Sequence, residues 1–448
     1  MLGALALGLR LSVWAQAKTS EKATGGGVSD VSGGASQVSE FEVNGLKVLF
    51  KRRANSQSVA TGLFIRGGAR NLTAENAGIE DLMLNVATEG SAGYPRERLR
   101  AELARTAAVL GAGADYDFSV VSLTTTRQAF DHSWDIFADV IMRPAFAQQD
   151  FDLAKERTLA GLRDDTDNPD TYLERLEESA VYAGHPYLNR PAGTTESITR
   201  LTVNDLRAYH RKLMKTSRLL LVVVGEVDAN LLKAKIAATL GRLPRGKYVA
   251  TPTPALAFKE PSVTVTPREL PTNYIQGTFA APAPDSPDIY PMRVARSILN
   301  DRVFEEVRVK RNLSYAPSAS LDNKAANTGG IYVTAVDANR AVGLMLDEIE
   351  RLQNTPVSDY EIASTVAQSL TNYYLDQETN SAQARELARY ELNGGGWRNS
   401  YELLARLRAV TPADVRRVAR QYMRNLRFVV IGNPKAINQG VFTRKLGE

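Results

Sequence analysis

The sequence predicts an α+β fold made of two duplicated domains, each a mainly antiparallel sheet with helices packed on one face. Three observations carry this. Segments of period two are followed by longer blocks of helical period, the pattern of strands covered by helices. Residues then recur at one offset: Leu201-Thr202-Val203-Asn204-Asp205-Leu206-Arg207, leading into the apolar run 219–224 and Gly225, matches Val410-Thr411-Pro412-Ala413-Asp414-Val415-Arg416, leading into Phe428-Val429-Val430-Ile431-Gly432. The shift is 209 residues, and it also carries Asp150-Phe151-Asp152-Leu153 onto Asp359-Tyr360-Glu361-Ile362. Finally, Pro252, Pro254 and Pro261 among small polar residues mark an extended linker over 247–261, between a domain at 40–246 and a second at 262–448.

In chain order, Met1 to Ala17 is apolar and ends in Ala15-Gln16-Ala17, a small-x-small pattern cut by signal peptidase. It reads as a signal peptide and makes a periplasmic or otherwise exported location the expectation. No basic residue follows Met1 and Arg10 interrupts the run, so a buried amphipathic helix is the alternative. Residues 18–39 are rich in Gly, Ser and Thr and form a flexible lead-in. Alternation on both sides of Asn44-Gly45 predicts a hairpin. A strand near Val59 to Arg66, helices Gly78 to Glu89 and Pro95 to Ala108, a strand Asp117 to Thr125 and further helices up to about Leu240 follow, interrupted by the strand 219–224. Thr202 with Asp205 and Thr411 with Asp414 predict helix starts of capping-box type.

A chain of 448 residues exceeds one hydrophobic core, and 44% hydrophobic with 23% charged residues is ordinary globular composition. A formal charge of +5 from 55 basic and 50 acidic dispersed residues argues against nucleic acid or an anionic membrane as partner. There is no Cys, which excludes a disulfide scaffold, and there are three His, at 132, 185 and 210, none sharing a helical turn with another. Each is read as structural. Gly111-Ala112-Gly113-Ala114 and Gly394-Gly395-Gly396 lack the strand, helix and Lys-Ser/Thr context of a phosphate loop and are read as turns.

The strand-like Thr61 to Arg70 followed by Ala77-Gly78-Ile79, together with Gly184-His185-Pro186-Tyr187, resembles the insulinase/pitrilysin zinc metallopeptidases, in their mitochondrial-processing-peptidase-like branch. The likeness covers nearly all of residues 40 to 435 and implies domains arranged as half of a clamshell. In that family a helix carries an inverted His-x-x-Glu-His motif, and zinc chemistry needs two such His and a carboxylate to take a proton from the bound water. The corresponding places here hold Asp81, Leu84 and Asn85. The third ligand of the family, a Glu on a downstream helix, falls on Gly161. No metal is therefore expected in this chain, and the chain alone is expected to be inactive.

Arg308 and Tyr315 stand seven positions apart in a helix end that runs through a turn into a strand Ser314 to Leu321. Taken alone, Arg308 is a helix-end charge and Tyr315 strand packing. In the family the C-terminal half supplies an Arg and a Tyr at this spacing, which reach across to the zinc site and hold the substrate carbonyl. The resemblance thus implies a non-catalytic subunit of a heterodimeric zinc metallopeptidase, with zinc in a homologous partner subunit, Arg308 and Tyr315 acting in trans, and a peptide or unfolded protein as substrate. The alternatives are a catalytically silent scaffold and a peptide-binding protein of the same fold.

Overall fold

The computed structural model describes residues 37–447; the apolar leader Met1 to Ala17 and the lead-in as far as residue 36 lie outside them. Two sheets organise the chain. The first holds β1 (Val38–Val43), β2 (Leu46–Arg52), β3 (Ser58–Arg66), β4 (Val109–Ala114), β5 (Phe118–Thr126) and β6 (Leu219–Gly225), in the order β1-β2-β6-β3-β5-β4. The second holds β7 (Ser262–Pro267), β8 (Asn273–Ala280), β9 (Ser318–Leu321), β10 (Thr328–Ala335) and β11 (Arg427–Gly432), in the order β7-β11-β8-β10-β9. Apart from the additional edge strand β1 the two orders are the same, and in each sheet one parallel pair, β2 with β6 and β7 with β11, sits among antiparallel neighbours.

Local chemistry explains the elements. Asn44 and Gly45 take positive φ of 48° and 82° and close the β1–β2 hairpin, the backbone that Asn-Gly adopts at least cost. Thr202 and Thr411 cap helices Val203–Leu213 and Pro412–Tyr422, and the carboxylate of Asp205 or Asp414 in turn accepts from the backbone N–H of the capping Thr. Two expectations need correction. Gly111 to Ala114 is not a turn but part of β4, at the edge of the first sheet, where small side chains let helix Ile79–Ala87 pack closely. The strand after Tyr315 begins at Ser318 rather than Ser314, because Pro317 has no N–H to give to a ladder.

Each sheet carries its own helices on one face, and the other face receives a helix from the opposite half. Along β6, Leu219, Leu221 and Val223 join the first half's core, whereas Leu220, Val222 and Val224 pack with Leu49 and Phe64 against Ala384, Leu387 and Ala388 of helix Asn380–Asn393. Reciprocally, helix Pro169–Val181 lies on β8 and β11, with Leu173 against Val429 and Ile431, while Phe428 and Val430 face the second half's core. This is why the runs 219–224 and 428–431 are apolar throughout rather than alternating: both faces are buried. The offset of 209 residues relates these two helices as well.

The exchanged helix Pro169–Val181 buries a carboxylate. Glu177 accepts from Thr278 Oγ1 on β8, and burial pushes its carboxyl from 4.5 up to about 7. The folded chain therefore holds a proton that the unfolded chain releases between these values. This contribution to stability is complete below about pH 4.5 and is lost as pH rises through about 7, at no more than about 1.4 kcal/mol per pH unit. Glu177→Gln is expected to flatten that part of a plot of Tm against pH and to raise Tm relative to the parent above pH 7; parallel profiles would contradict it.

Candidate functional site

Helix Ile79–Ala87 packs against β4, helix Gln148–Asp164 and helix Val203–Leu213. Gly78, at φ 86°, starts it; a Cβ there would lie 2.9 Å from Gly193 Cα and from the Ala192 carbonyl, so only glycine permits the approach. Asp81 accepts from the Ala114 N–H at 3.2 Å and from Asn85 Nδ2 at 2.9 Å, and burial raises its carboxyl above the usual carboxylate range. Leu84 is 1% exposed within the core, whereas Asn85 is exposed. Gly161 is exposed on the neighbouring helix, with nothing within 4 Å of where a Cβ would stand.

This donor set does not fit catalytic zinc. The one carboxylate is held by protein donors, Leu84 offers no electron pair, and Gly161 offers no side chain. Among the described residues no group of three or more His, Cys, Asp or Glu is placed to hold a metal. The histidines have protein partners of their own: His132 meets Glu102, His185 the Pro254 carbonyl and His210 the Ile141 carbonyl. Metal analysis of the purified chain is expected to find far less than one zinc per chain; a stoichiometric signal would contradict the reading.

Sequence inspection passed over the neighbour of Asp81. Glu80 is 1% exposed, accepts from Ser119 Oγ at 2.5 Å and from Tyr209 OH at 2.7 Å, and is raised above the carboxylate range by burial. It ties the helix to β5 and to helix Val203–Leu213 and faces the core, whereas Asn85 is exposed. A carboxylate beside the degenerate motif was visible in sequence; that it points inward was not.

Arg308 and Tyr315 do come together. The helix Ile289–Val303 runs into a π-helical turn, Phe304–Val309, and ends where Asn312 adopts φ 50°, a conformation Asn tolerates. Leu313 N–H returns to the Val307 carbonyl at 2.9 Å, closing the end. The reversal brings the Arg308 guanidinium carbon 4.7 Å from the centroid of the Tyr315 ring. Asn312 Oδ1 accepts from Arg308 Nη1 at 2.8 Å, the one protein hydrogen bond of that guanidinium among the described residues. Tyr315 is 79% exposed, and Phe304 and Val309 of the π-helical turn are exposed as well. The arrangement presents a phenol and a largely unengaged guanidinium, one stacked on the other, to whatever meets this surface.

Comparisons with known proteins bear on this geometry. The family model described as Insulinase (Peptidase family M16) matches residues 47–195, and that described as Peptidase M16 inactive domain matches residues 200–369. The chain is 24% identical to the mitochondrial-processing peptidase subunit beta of Blastocladiella emersonii over 87% of either chain. It is 24% identical to an uncharacterized zinc protease of Streptomyces coelicolor over 85% of either chain. Among solved structures, a protease from Helicobacter pylori superposes with a TM-score of 0.80 at 17% identity, covering 88% of this chain and 99% of that one. A peptidase M16 inactive domain from Pseudomonas fluorescens also gives 0.80, at 21% identity, covering 88% and 98%. The structural likeness establishes the fold, and the two family models, which together match well over half of the chain, establish descent: the protein belongs to peptidase family M16, the insulinase family.

Proposed function

We propose that this chain is the non-catalytic subunit of a heterodimeric zinc metallopeptidase, in which Arg308 and Tyr315 complete the site of a zinc-binding homologous subunit. The observation that carries this reading is the contrast within one chain: the helix at the zinc position has no histidine and its Asp81 is already bonded within the protein, while Arg308, half-buried, is stacked on an exposed Tyr315. A relative named as one subunit of a processing peptidase supports a paired arrangement.

Zinc held by the His-x-x-Glu-His motif of the partner would supply the attacking water. When that water adds to a peptide carbonyl, charge develops on the carbonyl oxygen, and the Tyr315 O–H and Arg308 N–H groups are the donors that hold it. Stacking on Tyr315 and the bond to Asn312 restrict the guanidinium before substrate arrives, so less freedom is lost in the transition state. Extended peptide could add as a strand at a sheet edge; β4 and β9 are two of the four edge strands, with β1 and β7 at the opposite ends of the sheets.

The test is assembly with a family member from the same genome that retains His-x-x-Glu-His. Light scattering on the mixture is expected to show a one-to-one complex of about twice the 49.0 kDa chain mass. Two independent species at every concentration would count against the proposal.

A further inference from the structure

The offset of 209 residues gives the degenerate zinc helix a counterpart in the second half. Helix Ile289–Val303 corresponds to Ile79–Ala87, helix Asp359–Asp376 to Gln148–Asp164, and β9 to β4. Leu84 falls on Arg293, and Ala114 falls on Asn323. At this place there is a cavity of about 380 Å³ lined by three arginines, Arg293 and Arg296 from helix Ile289–Val303 and Arg389 from the exchanged helix Asn380–Asn393.

These arginines are short of acceptors. Among the described residues none of the three makes an ion pair within 4.0 Å. Arg293 Nη2 and Arg389 Nη1 both donate to a single oxygen, Asn323 Oδ1, at 3.1 and 3.2 Å. Arg296 Nε is buried with no hydrogen-bond partner. Burial, and then the like charge of Arg293, lowers the Arg296 guanidinium from its ordinary value, and the opposite charge of Asp301 offsets this only in part. Carboxylates also line the cavity, at Asp301, Asp376 and Glu386, yet none closes onto a guanidinium. Glu386 accepts from Gln377 Nε2 at 2.5 Å, and burial raises it above the usual carboxylate range, which weakens it as a counter-charge.

We propose that this cavity binds a small oxyanion, the phosphate or carboxylate group of a ligand, held by the guanidinium groups of Arg293, Arg296 and Arg389. Planar guanidinium forks match the paired oxygens of such groups, and an oxyanion supplies the acceptors these side chains lack. Ser369 and Asn372, on helix Asp359–Asp376, add neutral donors to the wall. The duplicated fold would then carry an anion where its first half has the remnant of a cation site. The proposal rests on the second half alone and does not depend on Arg308, Tyr315 or a partner subunit.

Isothermal titration calorimetry of the full chain, with inorganic phosphate in one arm and succinate in the other, tests it. One-site saturation is expected in at least one arm, weakened about tenfold or more by Arg296→Gln and by Ser369→Glu, which sets a carboxylate against the arginines. Saturation with phosphate only, with succinate only or with both supports the site and identifies the group it takes. No heat of binding in either arm up to about 10 mM ligand overturns it. Undiminished affinity in Ser369→Glu also overturns it, since the anion would then bind elsewhere. Ser369 is half-buried on a helix surface, so this variant decides the matter even where Arg296→Gln does not fold.

Discussion

Arg308→Ala and Tyr315→Phe are each expected to lower kcat of the reconstituted two-chain peptidase by about 10²- to 10³-fold, some 3–4 kcal/mol for one donor to a developing oxyanion. The loss belongs in kcat more than in KM, because the ground-state carbonyl oxygen carries little of the charge that these donors meet. The double variant is expected to lose less than the product of the two, since the guanidinium and the phenol are stacked and each orients the other. Arg308→Lys keeps the charge but gives up the planar fork, and recovers little. The stability of the chain should hardly move: Tyr315 is 79% exposed and Arg308 makes one local hydrogen bond, so each change is worth roughly 0.5 kcal/mol in urea unfolding. Unchanged kcat in the double variant would reduce the pair to a helix-end charge and its neighbouring ring.

Asp117→Ala is expected to cost about 3–5 kcal/mol of stability, the range for breaking a buried charge network. Asp117 is 5% exposed, in the turn between β4 and β5. Its Oδ1 accepts from Arg70 Nη1 at 3.1 Å and Tyr187 OH at 2.5 Å, and its Oδ2 from the Ala325 N–H at 2.8 Å and Asn393 Nδ2 at 2.9 Å. Two of these partners belong to the first half and two to the second, so a single carboxylate joins the halves. Its removal leaves Arg70 as a largely buried charge without its counter-ion and strands three further donors. Asp117→Asn keeps the volume but turns an amide N–H₂ towards donors, and should also destabilise. A shift of the urea midpoint equivalent to less than about 1 kcal/mol would show that this carboxylate contributes little to holding the halves together.

Much of the fold was legible because it is written in short-range chemistry. Asn44-Gly45, the capping pairs at Thr202 and Thr411 and the repeat at an offset of 209 residues each specify local structure or its duplication, and no distant contact is needed to read them. The exchange of helices was not legible. Leu173 and Leu387 look like ordinary core positions of amphipathic helices, and nothing in a helical period says which sheet will cover them. The Asp117 network was hidden for a similar reason, as its partners at 70, 187, 325 and 393 converge only in three dimensions. At the candidate site the residue types at Asp81, Leu84, Asn85 and Gly161 were readable, and with them the shortage of side chains that could hold zinc. The stacking of Arg308 on Tyr315 required the turn at Asn312, which spacing alone does not describe.

The central claim is that this chain contributes half of a peptidase active site. The most direct measurement is hydrolysis of a peptide in the presence of zinc by three samples: this chain, a family member from the same genome with an intact His-x-x-Glu-His motif, and the two together. The account predicts no hydrolysis by this chain, little by its homologue and a large gain in the mixture that saturates at one-to-one stoichiometry. Equal activity of the homologue with and without this chain would contradict it.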